Sequence, residues 1–402
     1  MPEARKPDED RCDVFVYVQH LLGIGHLQRT AVLVEALRRA GLSVWTVTGG
    51  MPVADVRLDG SRVVQLPPGR ALDASFSLLD ETGAPPSDAW KEKRKSLILN
   101  AFHQARPRCL LIELFPFGRR QMRFELLPLL EAARAGPWRP KIVTSLRDIL
   151  NRPQRPEKSA WMIDTFRRFF DLAIVHSDPG VLTLEESFPE ALAIAERLRY
   201  SGFVVRRPAE GRARSGARSG DGEVLVSIGG GAVGLELVEA ALAARPLSVL
   251  RSSDWRFLLG PNFGQDDLAR LRRAAPPGVV IERSRPDFPT LLAESRLSIS
   301  QAGYNTVMEV LSLGKPAVVV PFAAGGESEQ TFRAQRLASL GLLSLVEERY
   351  LTPQTLATAV DDAASRSPHR RGTSPPIDLD GADATARILI ELMEGSGNDL
   401  VE

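Results

Sequence analysis

A histidine beside a glycine-rich turn is the first candidate for acid–base chemistry in this chain. Residues 23–29 read GIGHLQR and come shortly after an apolar strand. Gly23 and Gly25 allow a sharp turn and close approach of a ligand, while the imidazole of His26 has an intrinsic pKa near neutrality. Such a group suits a general base that takes a proton from a hydroxyl or from water. A structural or solvated histidine is the alternative, and the residues alone leave both interpretations open.

Two carboxylates and a second histidine follow apolar strands in the same half of the chain. Glu113 stands in LLIELFPF, Asp148 in VTSLRDIL, and His176 after LAIV. A carboxylate at a strand end can orient an imidazolium or bind a substrate hydroxyl. Helix capping or a surface ion pair would explain the two carboxylates equally well. Glu113 and Asp148 are therefore candidate catalytic residues, and His176 is the next candidate base.

Three consecutive glycines mark the start of the second half. Ser227 ends the apolar strand VLVS, and Gly229, Gly230 and Gly231 follow it. Consecutive glycines cost backbone entropy, so a tight turn alone explains them poorly. Backbone N–H groups at the start of a helix bind phosphate well. These four residues are therefore predicted to hold a diphosphate.

A third candidate site lies in residues 300–330, which read SQAGYNTVMEVLSLGKPAVVVPFAAGGESEQ. The pattern predicts a turn, a helix and a buried strand, with Gly314 as C-cap and Pro316 preventing continuation of the helix. The small residues up to Gly303 would let backbone N–H groups meet an anion. Glu309 lies about two turns into the helix, too far in to cap it. It is either a solvated surface residue or an acceptor of hydrogen bonds from sugar hydroxyls.

Family resemblance favours the second interpretation of Glu309. The motifs occur in the order Ser300-x-x-Gly303-x-x-Thr306-Val307-x-Glu309, Gly314-x-Pro316, Val320-Pro321-Phe322 and Glu329-Gln330-x-x-x-Ala334. This order resembles the C-terminal half of glycosyltransferase family 28, which contains the lipid II-forming N-acetylglucosaminyltransferase of peptidoglycan synthesis. The resemblance implies the GT-B fold and a nucleoside diphosphate sugar as substrate. It implies that Glu309 holds the donor ribose, that Glu329 and Gln330 face the donor sugar, and that Ser300, Asn305 and Thr306 belong to the same donor site. The family often has two glutamines where this chain has Glu329 and Gln330.

The first glycine segment resembles two groups of nucleotide-sugar enzymes through its Gly-x-Gly-His-x-x-Arg pattern, which ends at Arg29. In the transferases just named, the histidine is a candidate base for the acceptor hydroxyl. In related UDP-sugar hydrolases, it activates water. The resemblance places Gly23, Gly25 and Arg29 on the acceptor side and gives His26 the role of base. In the second domain the family has a Gly-Gly-Ser loop, and this chain lacks that serine.

Length and composition favour a globular protein of two domains. The chain has 402 residues, 44% of them hydrophobic and 25% charged, with a net charge of +1. This charge gives no reason to expect a nucleic-acid partner. Two cysteines make neither a disulfide framework nor a metal cluster, and no apolar run approaches the roughly 20 residues of a membrane span. The charged N-terminus lacks the apolar core of a signal peptide. We therefore expect a cytoplasmic protein without a metal site.

The strand and helix pattern predicts an α/β protein with two Rossmann-like, doubly wound domains that face a cleft. Residues 1–206 would form the acceptor domain, 207–222 a flexible linker, 223–381 the donor domain, and 382–402 a C-terminal helix that can return to the first domain. Strands are predicted at 14–18, 44–47, 63–66, 110–114, 142–144, 172–175, 224–227, 256–259, 279–282, 297–299, 317–320 and 343–345.

The function that the family resemblance implies is transfer of a sugar from a nucleoside diphosphate sugar, which is UDP-linked by the same resemblance. We expect it to be inverting and metal-independent, with no cofactor. Hydrolysis of the nucleotide sugar and a catalytically silent sugar-nucleotide binding protein are the alternatives. The acceptor is open between a lipid-linked molecule, which would require peripheral membrane contact, and a small metabolite. Residues 114–117 (LFPF) are the candidate exposed apolar patch for a lipid acceptor, with burial in the core as the alternative.

Overall fold

The structure is a computed structural model that describes residues 11–21, 23–53, 56–71, 77–153, 155–206, 222–229, 234–260, 263–322, 329–366 and 377–395. It divides into two compact units, Met1–Val204 with Asp378–Glu402, and Val205–Ile377. All of the expected linker except its last residue lies outside the described residues. Within the described part of the chain, no helix has the length and apolar character needed to cross a membrane.

The first unit is built on a parallel sheet of seven strands in the order β3-β2-β1-β4-β5-β6-β7. Its strands are β1 (Val14–Val18), β2 (Val44–Thr48), β3 (Arg62–Gln65), β4 (Cys109–Glu113), β5 (Lys141–Arg147), β6 (Leu172–His176) and β7 (Leu198–Tyr200). Strands β1, β4 and β6 are buried along their whole length, as expected for a sheet covered by helices on both faces. The order reverses between β1 and β4, and ligands of such sheets bind at the carboxyl ends of the strands beside this reversal.

Helices cover both faces of the first sheet. They are α1 (Gly25–Arg39), α2 (Asp88–Ala105), α3 (Arg123–Ala135), α4 (Pro156–Phe169) and the short α5 (Leu184–Ser187). The chain adds one more at its end, α12 (Gly381–Glu394), which packs on α1 within this unit. Ala386, Leu389 and Met393 of α12 join Val34 and Leu37 of α1 in one apolar cluster. Three-residue and nine-residue 3-10 helices complete the unit at Arg120–Met122 and Pro189–Arg197.

The second unit contains a parallel sheet of six strands in the order β10-β9-β8-β11-β12-β13. Its strands are β8 (Val224–Ser227), β9 (Trp255–Leu259), β10 (Val279–Arg283), β11 (Leu297–Ser300), β12 (Ala317–Val319) and β13 (Ser344–Leu345). Its helices are α6 (Leu235–Ala244), α7 (Gln265–Ala274), α8 (Phe288–Glu294), α9 (Tyr304–Ser312), α10 (Glu329–Ser339) and α11 (Pro353–Ser365). The order reverses between β8 and β11, which repeats the arrangement of the first unit.

Two expectations from the sequence need correction, and one strand was missed. Helix α1 begins at Gly25, inside the glycine-rich turn of residues 23–29, because the N–H of Gln28 already donates to the carbonyl of Ile24 at 2.9 Å. Strand β7 was not predicted, since three residues of mixed polarity carry almost no periodic signal. The proposed apolar surface patch is wrong: Phe115 is 0% and Phe117 is 5% exposed, and both lie in the main core of the first unit.

Candidate active site

The central contact of the first unit joins His26 to Glu113. His26 lies in the first turn of α1, and Glu113 is the last residue of β4, the strand beside β1 where the order reverses. Nδ1 of His26 is 2.5 Å from Oε1 of Glu113. An ionised carboxylate only accepts hydrogen bonds, so the geometry assigns the proton to Nδ1 and the lone pair to Nε2. The His26 side chain keeps 15% of its surface exposed, which is enough for Nε2 to meet a ligand.

Glu113 is held as a carboxylate by its neighbours. Its side chain is 2% exposed, and Nη2 of Arg29 donates to Oε1 at 2.7 Å. Burial opposes ionisation, but the contacts with His26, Arg29 and Arg119 outweigh it and lower the pKa of Glu113 to about 2. Arg29, which the sequence assigned to the acceptor side, is thus the buried counter-ion of the carboxylate. The second oxygen, Oε2, is buried without a hydrogen-bond partner among the described residues.

The imidazole of His26 is neutral in this environment. Burial is the largest influence and lowers its pKa to about 3, with Arg119 and Arg147 acting in the same direction and Glu113 opposing them. The pair is coupled, and the two shifts describe one state: an ionised Glu113 beside an uncharged His26. In this state Nε2 has an available lone pair across the neutral pH range, so the imidazole of His26 can serve as a base.

The other two candidates, Asp148 and His176, make different contacts from those of His26 and Glu113. Asp148 is buried, and its Oδ1 accepts the backbone N–H of Ile149 at 3.0 Å, which is a local turn contact. His176 at the end of β6 is fully buried, with Nε2 2.7 Å from Oγ of Ser145 and Nδ1 2.9 Å from Oγ of Ser201. Because both ring nitrogens of His176 are engaged, it is less suited than His26 to meet a substrate.

A buried network that the sequence did not indicate holds the segments that follow β1 and β2. Arg94 of α2 and Glu125 of α3 form an ion pair in which both side chains are 0% exposed. Nη2 of Arg94 also donates to Oε1 of Gln19 at 2.8 Å, and Nη1 donates to the carbonyl of Gly49 at 3.0 Å. Nε of Arg119 donates to the carbonyl of Gln19 at 2.6 Å. One guanidinium therefore joins the segments that follow β1 and β2.

In the second unit, two serines meet where the strand order reverses. Ser227 ends β8 and Ser300 ends β11, and they are direct neighbours in the register of these strands. Ser227 is 8% and Ser300 is 1% exposed, and neither hydroxyl has a hydrogen-bond partner among the described residues. Buried hydroxyls without partners are uncommon in proteins and cost stability. Their position at a strand-end reversal is typical of groups that bind a ligand.

A glutamine links the two turns that follow these serines. Oε1 of Gln301 accepts the N–H of Gly229 at 3.1 Å, so the glycine loop and the turn before α9 are held together. Gly303 precedes α9 without a side-chain cap, and a Cβ built on it would meet nothing within 4 Å. The backbone at this turn therefore has open space beside it. Gly230 and Gly231 lie outside the described residues.

Glu309 on α9 is a half-buried carboxylate that has neither a hydrogen bond nor an ion pair with another described residue. Burial raises its pKa to about 7, although Arg206 opposes the shift. Surface glutamates are normally well solvated, and this one is not. Asn305 and Thr306 are half-buried in the first part of the same helix.

The two residues expected to face a donor sugar begin α10. Glu329 is 7% exposed, and its Oε1 accepts Nη2 of Arg333 at 2.8 Å. Oε1 of Gln330 accepts the backbone N–H of Phe322 at 3.2 Å, which leaves the amide nitrogen as its donor group. The segment between them, residues 323–328, lies outside the described residues. Within the described ranges, no three His, Cys, Asp or Glu residues are grouped as a metal site.

Comparison with known proteins identifies the second unit. Residues 225–375 match the glycosyltransferase family 28 C-terminal domain. The chain thus resembles glycosyltransferase family 28. A relative from Brucella anthropi, named UDP-N-acetylglucosamine--N-acetylmuramyl-(pentapeptide) pyrophosphoryl-undecaprenol N-acetylglucosamine transferase, is 26% identical over 205 residues, which are 50% of this chain and 55% of the relative. A protein of the same name from Syntrophotalea carbinolica is 28% identical over 155 residues, 37% of this chain and 42% of that one. The chain therefore spans about half the length of the curated relatives it matches.

Solved structures extend the likeness to both units of this family 28-like chain. CalG4, the calicheamicin glycosyltransferase, has a TM-score of 0.61 at 20% identity and covers 97% of this chain and 100% of its own. MurG of Acinetobacter baumannii has a TM-score of 0.56 at 15% identity and covers 94% and 99%. Together with the two doubly wound sheets, these likenesses confirm the GT-B fold that the sequence predicted.

Proposed function

We propose that this protein is a glycosyltransferase that moves a sugar from a nucleoside diphosphate donor to an acceptor hydroxyl with inversion at the anomeric carbon. The contact between His26 and Glu113 carries the proposal, because it supplies a base of defined tautomer at a strand-end reversal. The match of residues 225–375 to the glycosyltransferase domain supports the same class of reaction.

In this mechanism, Nε2 of His26 takes the proton of the acceptor hydroxyl as its oxygen attacks the anomeric carbon. The nucleoside diphosphate leaves from the opposite face, so one displacement inverts the configuration. Glu113 holds Nδ1–H, keeps the tautomer fixed and stabilises the imidazolium that forms, with Arg29 as its counter-ion. Burial removes water from this pair and so strengthens the interaction between carboxylate and imidazolium.

The donor is assigned to the second unit. Ser227, Ser300 and the backbone N–H groups of the turn at Gly303 are the groups we assign to the diphosphate, and the dipole of α9 favours its charge. Because these groups can offset the negative charge of the leaving group, the proposed reaction requires no metal. Glu309 would accept hydrogen bonds from the ribose, while Glu329 and Gln330 would meet the sugar. The relatives' names favour UDP-N-acetylglucosamine as the first donor to test.

The acceptor is proposed from the named relatives and structural neighbours. Their name specifies a pyrophosphoryl-undecaprenol acceptor, so a lipid-linked diphosphate is the first class to test. Structural neighbours with other aglycones, such as the spinosyn rhamnosyltransferase SpnG, make a small hydroxylated metabolite the second class. Cys12 and Cys109 are buried free thiols, which fits our placement of the reaction in the reducing cytoplasm.

The test is release of nucleoside diphosphate by the purified protein. UDP-N-acetylglucosamine, UDP-glucose and, because SpnG is recorded with thymidine diphosphate, a thymidine-diphosphate sugar are each incubated alone and with either acceptor class. Release that depends on the acceptor, with an inverted glycoside as product, supports the proposal. Release with free sugar in the absence of acceptor identifies a hydrolase instead. Binding without any release identifies a catalytically silent sugar-nucleotide binding protein.

A further inference from the structure

The buried guanidinium of Arg333 joins two parts of the donor site. Arg333 is 2% exposed and lies one turn into α10. Its Nη1 donates to the carbonyl of Ala302 at 2.9 Å, in the turn before α9. Its Nη2 donates to Oε1 of Glu329 at 2.8 Å. The guanidinium also lies over the ring of Tyr304, the first residue of α9, at 5.4 Å from its centroid.

The carboxylate of Glu329 and the turn assigned to the diphosphate thus bind the same guanidinium. A carboxylate so close to bound phosphate would repel it unless its charge were neutralised. Arg333 supplies that neutralisation, and its planar fork suits two simultaneous acceptors, which the single ammonium of a lysine cannot hold in the same geometry. The carbonyl of Ala302 accepts a hydrogen bond from the same group, which holds the turn before α9 in place.

We infer that Arg333 is a positioning residue of the donor site: it fixes the turn before α9 through Ala302 and neutralises Glu329, so that this unit accepts a nucleoside diphosphate. This inference rests on the proposed function, because it assumes a diphosphate at the turn. It assigns Arg333 no direct contact with the ligand. A carboxylate at position 329 accepts hydrogen bonds, where a glutamine would be both donor and acceptor.

The experiment is calorimetric titration of UDP into the wild type and into the variants Arg333→Met, Arg333→Lys, Glu329→Gln and the double variant Arg333→Met/Glu329→Gln. We expect UDP affinity to fall at least about tenfold in Arg333→Met, because the hydrogen bond to Ala302 and the ion pair with Glu329 are both lost. Glu329→Gln removes the charge that Arg333 neutralises but keeps the contact with Ala302, so its loss of UDP affinity should be smaller than that of Arg333→Met. The double variant should recover about threefold or more relative to Arg333→Met, because the repelling charge is gone.

Arg333→Lys separates charge from geometry. It keeps a cation near Glu329 but cannot hold Ala302 in the same way, so its affinity should lie between those of the wild type and Arg333→Met. Arg270→Met is the matched control. It removes an exposed arginine of the same unit that pairs with Glu239 of α6 and with Asp267 of its own helix, α7. It should leave UDP affinity unchanged.

The results distinguish this inference from the proposed function. If the wild type binds UDP and Arg333→Met binds it equally well, the positioning role is wrong and the donor site stands. The role is also wrong if the double variant is no better than Arg333→Met. If Arg333→Met does not fold, the UDP affinity of Arg333→Lys is the deciding measurement. A folded Arg333→Lys variant with the affinity of the wild type would show that the positioning role is wrong. A wild type that binds neither UDP nor any of the nucleotide sugars named above overturns both.

Discussion

Nδ1 of His26 lies 2.5 Å from Oε1 of Glu113, although 87 residues separate them in the chain. The contact arises because α1 follows β1, and β4 is the neighbour of β1 where the strand order reverses. It turns an ordinary imidazole into one with a fixed tautomer. It also makes the fixed tautomer depend on a single carboxylate.

Replacing this carboxylate should lower kcat more than it weakens donor binding. In Glu113→Gln, the amide can no longer hold the Nδ1–H tautomer by charge, and the ion pair between Glu113 and Arg29 is lost. We expect kcat to fall by about two to four powers of ten, while UDP affinity stays within about twofold. Glu131→Gln, at an exposed position of α3, is the matched control. Parallel losses of kcat and of UDP affinity would contradict the assignment.

Removing the imidazole tests the base itself. His26→Ala should lose roughly two to four powers of ten in kcat with normal UDP binding. Added imidazole should restore part of the activity if the space that the side chain leaves admits it. Turnover near that of the wild type would exclude His26 as base, and His176 would be the next variant.

The pH profile of the wild type gives an independent test of His26. A histidine of ordinary pKa would make the rate rise near pH 6.5. Burial lowers the pKa of His26 to about 3, so it stays neutral, and its own titration should not change kcat between pH 5 and pH 8. A rise with a midpoint near 6.5 that disappears in His26→Gln would show that its pKa is unshifted in solution.

The parts of this molecule that the sequence predicted well share one property: their signal is local. Strand β8 is read from a few adjacent residues, and the structure has it at the predicted bounds, 224–227. A functional role for Glu113 was only one of two equal interpretations, and the sequence did not pair it with His26, because strand order is needed to bring the two together. Arg94 and Arg333 gave no signal, since an arginine on an amphipathic helix is normally a solvated residue.

Asp148 shows the same limit from the other side. Asp148 directly follows β5 and Glu113 is the last residue of β4, and the two residues looked equivalent in sequence. Their difference depends on which strand is adjacent to β1, and β4 holds that place. The role of a strand-end carboxylate is thus a property of sheet order and not of the local motif.

Glu309 should make UDP binding depend on pH. Its pKa is raised to about 7 by burial, so at pH 6 it is mostly protonated and at pH 8 mostly ionised. An ionised carboxylate accepts hydrogen bonds from two hydroxyls, and UDP affinity should therefore increase from pH 6 to pH 8. Glu309→Gln should bind UDP at least about tenfold more weakly at pH 8 and lose most of this pH dependence. If the pH profile of UDP binding is unchanged in Glu309→Gln, Glu309 does not bind the nucleotide.

The same shift predicts an effect on stability with the opposite sign. An acid whose pKa is higher in the folded state than in the unfolded state favours folding when protonated, so its contribution decreases as pH rises from about 4.5 to about 7. Glu309→Gln should therefore be more stable than the wild type at pH 8, by about 1–2 kcal/mol after allowance for its partial exposure. Chemical denaturation at pH 5 and pH 8 without ligand measures this. The prediction is contradicted if the difference in free energy of unfolding between Glu309→Gln and the wild type is the same at pH 5 and pH 8.

The ion pair between Arg94 and Glu125 should be the costliest polar contact to break in the first unit. Both side chains are fully buried, and Tyr17 also donates to Oε1 of Glu125 at 2.6 Å. Removing one partner leaves an uncompensated buried charge, so Arg94→Met should lower the free energy of unfolding by about 3–5 kcal/mol. Lys95→Met removes the surface pair with Glu92 on the same helix and should cost less than about 0.5 kcal/mol. Arg94→Met/Glu125→Leu should recover much of the loss, because an apolar pair leaves no unpaired charge. If Arg94→Met alone is as stable as Lys95→Met, the loops after β1 and β2 do not depend on this guanidinium.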